Sequence, residues 1–62
     1  MFKTAKDLSK GDIIASSKGP LTVVDTYTDT MTQEIVIWWD DMGNPPVRIT
    51  LETQVTLVPK QN

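Results

Sequence analysis

An all-β fold, in which five short strands close on themselves behind a brief N-terminal helical turn, is what this 62-residue sequence predicts. Three observations carry that expectation. Five stretches rich in β-branched and aromatic residues are separated by runs of Gly, Pro, Asn and Asp, the punctuation of a small β protein. The link between the fourth and fifth stretches is only Glu52-Thr53-Gln54, which requires a strongly bent antiparallel sheet. Finally, Ile35-Val36-Ile37-Trp38-Trp39 is apolar at every position. Successive strand residues point to opposite sides, so a narrow barrel can take only one of the sets Ile35/Ile37/Trp39 and Val36/Trp38 inside.

The elements follow in order. Thr4 and Asp7 have the spacing of a capping box, with Ala5 and Leu8 on one side of a single helical turn that Gly11 ends. The segment from Lys3 to Lys10 is too brief to be a stable helix alone, so residues 1–10 read as a packed lead-in whose Phe2 and Leu8 plug one end of the core. Asp12 to Ser16, carrying Ile13 and Ile14, is the first strand. Ser16-Ser17-Lys18-Gly19-Pro20 is a turn in which Gly takes positive φ and Pro opens the next strand. Leu21 to Thr28 is the second strand, with Leu21 and Val23 on one face and Val24 among threonines on the other.

After the polar break Thr28-Asp29-Thr30-Met31, Thr32 to Asp40 forms the third and most hydrophobic strand. Asp41-Met42-Gly43-Asn44-Pro45-Pro46 is a loop, since neither proline can donate to a ladder. Val47/Ile49/Leu51 alternate with Arg48/Thr50/Glu52 in a half-buried fourth strand. A tight, 3₁₀-like link leads to Val55-Thr56-Leu57-Val58. Pro59 ends that strand, and Lys60-Gln61-Asn62 is a tail. The whole is one domain, residues 1–62, with the architecture of an SH3-like small barrel. An OB-type barrel fits less well, because it needs more residues and a helix between strands.

A chain this short buries only about 60% of its unfolded surface. Cysteine is absent, so no disulfide supplements the core, and the absence of histidine as well disfavours zinc. That composition suits a reducing cytoplasm. No run approaches the roughly 20 apolar residues of a membrane span, and Met1-Phe2-Lys3-Thr4 has no signal-peptide core. Without staples, self-association is a sensible way to gain buried area. No cofactor or small-molecule substrate is expected. Without His or Cys a general base has to be a carboxylate or lysine in a cleft, and a domain this small has little room for one. An enzyme is therefore not expected. Asp40, Asp41 and Asn44 lack the spacing of a calcium loop, and no metal site is expected.

Net charge is −2 but unevenly spread. Lys3, Lys6, Lys10 and Lys18 outnumber Asp7 and Asp12 early on, whereas Asp25, Asp29, Glu34, Asp40 and Asp41 follow with no basic residue among them. That acidic middle repels a phosphate backbone, so any nucleic-acid contact has to use the four lysines.

Three segments, Lys10-Gly11-Asp12-Ile13-Ile14, Ser17-Lys18-Gly19-Pro20-Leu21-Thr22-Val23 and Val36-Ile37-Trp38-Trp39-Asp40, resemble motifs of the small YodC-like family. Its members show a Gly-Asp-Val-Val start, a Ser-Gly-Gly-Pro-x-Met-Thr-Val turn and strand, and a Trp-Phe-Asp segment. The likeness spans roughly Lys10 to Val58. It implies a compact β fold and no catalytic residues. That family keeps a Cys-x-Trp pair where this chain has Val36 and Trp38, which implies an inward Trp38. More distantly, the chain is similar to KOW-type ribosome-associated domains and to the SH3 modules that carry a Trp-Trp pair. The tyrosine-rich segment and acidic loop that bind proline-rich peptides are not recognisable here.

The residues themselves favour the opposite facing. Glu34 and Asp40 share a side with Val36 and Trp38, so Ile35, Ile37 and Trp39 should point inward. Trp38 and Val36 then emerge outside, near Tyr27 if the second and third strands pair. With Arg48 nearby, Trp38, Val36 and Tyr27 have the composition of an interface hot spot. The expected function is a non-catalytic protein-interaction module that docks on another protein or on a copy of itself. Its size fits an accessory or phage-type modulator of a larger complex. The competing expectation is a nucleic-acid or ribosome-associated domain that uses the lysines.

Overall fold

A computed structural model of the chain describes residues 1–41 and 43–59. The expected loop residue Met42 and the expected tail Lys60-Gln61-Asn62 lie outside the described residues. Among the described residues there are six strands: β1 (Phe2–Thr4), β2 (Ile13–Ser16), β3 (Gly19–Asp29), β4 (Glu34–Trp39), β5 (Val47–Thr50) and β6 (Gln54–Thr56). The strands β2-β3-β4-β5 form a curled antiparallel sheet in chain order, and β1 pairs with β6 in a separate two-stranded sheet. The two sheets meet where Ile14 bridges Leu57 and the Val58 N–H donates to the Ile13 carbonyl at 2.8 Å. The only helical element among the described residues is a 3₁₀ turn, Ala5–Asp7, and no helix there is long and apolar enough to cross a membrane.

Short polar devices fix the connections. In the β2–β3 turn the Ser16 hydroxyl donates to the Gly19 carbonyl at 2.6 Å and accepts the Lys18 N–H at 3.1 Å. Gly19 sits at φ +101°, a region that a side chain disfavours. Between β3 and β4, Asp29 Oδ1 accepts the N–H groups of Met31 and Thr32, an Asx-type turn. Asp41 does the same after β4: its Oδ1 takes the Gly43 N–H and its Oδ2 the Asn44 side-chain amide, both at 2.8 Å. From β5 to β6 the chain reverses through a single turn closed by Thr53 N–H to the Thr50 carbonyl at 3.1 Å.

The lead-in differs from the sequence expectation. Phe2 is 69% exposed and belongs to β1, in register with Thr56, so it does not plug the core. Ala5 and Leu8 do, both buried. The Thr4 side chain makes no capping bond. The orphan N–H groups of the 3₁₀ turn go instead to backbone oxygens after β5, Ala5 to Thr53 at 2.8 Å and Lys6 to Leu51 at 3.0 Å. Tertiary acceptors therefore replace the cap.

Ala5, Leu8, Ile14, Val23, Ile35, Ile37, Val55 and Leu57 form the core, with Trp39, Ile49 and Leu51 packed against it. Ile35 and Ile37 are each 1% exposed, whereas Trp38 is 38% exposed. The inward row is therefore Ile35/Ile37/Trp39, and the inward Trp38 implied by the YodC-like motif is corrected. A β-bulge at Val24 shapes the other face. Leu21 and Val23 are buried, but beyond the bulge Thr26 and Thr28 stand opposite Ile37 and Ile35, so inward parity passes from odd to even positions. Val24 therefore does not share a face with Thr26 and Thr28, and Tyr27, which strict alternation from Val23 carries inward, is turned out.

Candidate functional site

β4 lies between β3 and β5, so its outward residues Glu34 and Val36 have a neighbour on both sides, whereas Trp38, beyond the end of the β5 ladder, has one on β3 only. Val36 pairs with Tyr27 of β3 and with Arg48 of β5, giving one rung, Tyr27–Val36–Arg48, across three strands. Directly opposed side chains in such a ladder are close enough to touch, and diagonal ones are within reach of aromatic rings. On the next rung Trp38 stands opposite Asp25, beside the exposed bulge residue Val24. Tyr27 is 58% exposed. The sheet thus brings together all four residues that the sequence singled out, Trp38, Val36, Tyr27 and Arg48. It adds Val24, an exposed residue at the bulge that alternation already put on the face away from Leu21 and Val23.

The rim of this patch is charged. The Arg48 guanidinium donates from Nη1 to Asp29 Oδ2 at 3.2 Å and to Glu34 Oε1 at 3.3 Å. Arg48 lowers the Asp29 carboxyl below its ordinary 3.8, with the N–H groups of Thr32 and Met31 helping. The same carboxylates raise the Arg48 guanidinium further, Asp29 more than Glu34. A carboxyl whose folded pKa is depressed stabilises the fold above its unfolded value, and that contribution is lost as pH falls through the folded one. Asp29→Asn is therefore expected to lower stability slightly at neutral pH and to converge on the wild type below about pH 4, which flattens the acid limb of a stability-against-pH curve read by thermal melts across that range. The effect is small because the pair is exposed.

The four lysines are placed differently. Lys3 Nζ lies 2.9 Å from Asp12 Oδ2, and Lys6 Nζ lies 3.4 Å from Glu52 Oε1. Lys10 and Lys18 are exposed on two separate turns, 9–12 and 16–19. Among the described residues no group of three Asp or Glu side chains could hold a metal ion, and no ionisable side chain is buried. Asp40 is exposed at the end of β4, and Asp41 is occupied with its loop.

The chain matches no family model, no curated protein and no solved structure. The YodC-like resemblance therefore rests on the three quoted motifs alone.

Proposed function

We propose that this protein is a non-catalytic interaction module, an SH3-like small barrel whose outer β3–β4–β5 face docks on another protein or on a second copy. The single observation that carries this reading is the outward patch in which exposed Tyr27 and Trp38 flank half-buried Val36, grouped by ladder register. A tryptophan left 38% exposed beside a tyrosine and an arginine is the composition in which binding energy concentrates. The core is small, and covering such a patch gives apolar burial that the isolated chain lacks.

Charge argues for protein over nucleic acid. Asp25, Asp29 and Glu34 surround the aromatics, with Arg48 as their one cation, whereas nucleic-acid surfaces interleave aromatics with Lys and Arg. Two of the four lysines that the competing reading needs already have carboxylate partners.

Capture from a native lysate, with Trp38→Ala as the control, tests the proposal alongside light scattering for self-association. The expected result is a partner, or a concentration-dependent dimer, that the wild-type chain holds and the variant loses. A partner retained equally by Trp38→Ala contradicts it. A salt titration against mixed RNA and DNA adds the opposing test. Binding that falls steeply with salt supports the nucleic-acid reading and counts against this one, whereas no binding at low salt is expected here.

A further inference from the structure

The inner face of the sheet carries a second feature, independent of the outer patch. Where the β2–β3 turn and the β4–β5 loop adjoin, an open pocket of about 260 Å³ is walled by Ile14, Leu21, Trp39, Pro45 and Val47. Lys18 is the one charged residue lining it, and no carboxylate pairs with Lys18 among the described residues. The volume is below the roughly 300–1,000 Å³ of sites that hold drug-sized ligands, and it suits one apolar side chain.

Val47, a wall of the pocket, is also the first residue of β5, the last strand of the four-stranded sheet. The Leu51 N–H donates to the Gln33 carbonyl, in register with the pairs Ile35–Ile49 and Ile37–Val47. By the alternation of an antiparallel ladder, the backbone groups of Val47 and Ile49 then face β4. Those of Arg48, and the Thr50 N–H, face away from it, where no described strand pairs with them. An unpaired run of backbone donors and acceptors recognises another backbone, the mode of strand addition.

We propose that this edge and pocket together bind the carboxy-terminal end of an extended peptide. The backbone of the peptide lies along Arg48 and Thr50, its last apolar side chain fills the pocket against Trp39, and its terminal carboxylate meets the Lys18 ammonium. The three parts select three different things: the edge selects a peptide, the apolar walls select the side chain, and the lone rim cation selects the free carboxylate. Trp38 and Trp39 point to opposite sides of β4, so the pocket is separate from the outer patch, and the two sites share only Arg48, by its backbone here and its side chain there.

Amide NMR spectra of the labelled protein test the assignment. The probes, at about 1 mM, are a pool of short acetylated peptides ending in Val, Leu, Ile or Phe, the same pool as C-terminal amides, and 4-methylpentanoate alone. The free-acid peptides are expected to shift the amides of Lys18, Val47, Arg48 and Thr50 and the Trp39 indole, and the amidated pool to bind about tenfold more weakly. Lys18→Met is expected to reduce the acids to the level of the amides while its melting temperature stays that of the wild type, since Lys18 is exposed. Equal binding of acid and amide overturns the proposal, as does the absence of shifts from the free-acid pool. Binding of 4-methylpentanoate as tight as that of the peptides also overturns it, and assigns the pocket to small carboxylates instead. None of these outcomes depends on Trp38, so they are read separately from the docking test.

Discussion

Replacing Ile37 by alanine is expected to leave the domain unfolded, or nearly so, at room temperature. Ile37 sits in β4, in register with Thr26 on one side and Val47 on the other, and is 1% exposed. Truncating a buried isoleucine removes its transfer free energy and leaves a cavity that close-packed neighbours fill only in part, a loss of about 2–5 kcal/mol. A folded chain of this length has a total stability of about 3–9 kcal/mol, so the loss takes much or all of it. No disulfide limits the consequence, since cysteine is absent. A urea titration followed by tryptophan fluorescence reads the result. A midpoint close to that of the wild type contradicts the placement of Ile37 at the centre of the core.

Trp38→Ala, one residue along, is expected to do the opposite. The side chain lies on the outer face opposite Asp25 and is 38% exposed, so its removal costs cross-strand contacts and part of the burial of the indole, about 1–2 kcal/mol. Association, by contrast, is expected to weaken by about 30-fold or more, the loss of about 2 kcal/mol or greater that marks a hot-spot residue. The two measurements are separable, melting of the isolated monomer for the first and affinity for the second. A large drop in monomer stability with affinity intact reverses the assignment of faces.

These two adjacent positions show what a chain of this kind reveals before folding. The facing of β4 was legible because charges flank the apolar run: Glu34 and Asp40 fall on the side of Val36 and Trp38, and a carboxylate at either end of a row keeps that row in water. The turns were legible for local reasons, since Gly19, Asp29 and Asp41 each act within three residues of themselves. The strand at Phe2–Thr4 was not, because its only partner, Gln54–Thr56, is at the far end of the chain, and nothing in three residues announces a pairing at that separation. Phe2 accordingly reads as a core residue on hydrophobicity alone, although the register places it outside.

The bulge at Val24 was hidden for a different reason. An inserted residue leaves composition untouched and changes only parity, so alternation read along β3 fails just where Tyr27 is turned outward. Of the residues proposed for docking, Trp38 and Val36 could be placed from β4 itself, whereas the grouping of Tyr27 and Arg48 with them depended on strand pairing. The links from Arg48 to Asp29 and Glu34 cross 19 and 14 residues of sequence and needed the folded sheet. The pocket beneath Trp39 is assembled from β2, β3, the end of β4 and the loop into β5; no single segment carries its signature.

Hydroxyl-radical footprinting of the two adjacent tryptophans, in the free monomer and in the captured complex or dimer, tests the central claim most directly. The expected result is that Trp38 and Tyr27 are oxidised faster than Trp39 in the free chain and become protected on association. A Trp38 slower to react than Trp39 in the free monomer, or one equally reactive with and without the partner, contradicts the account.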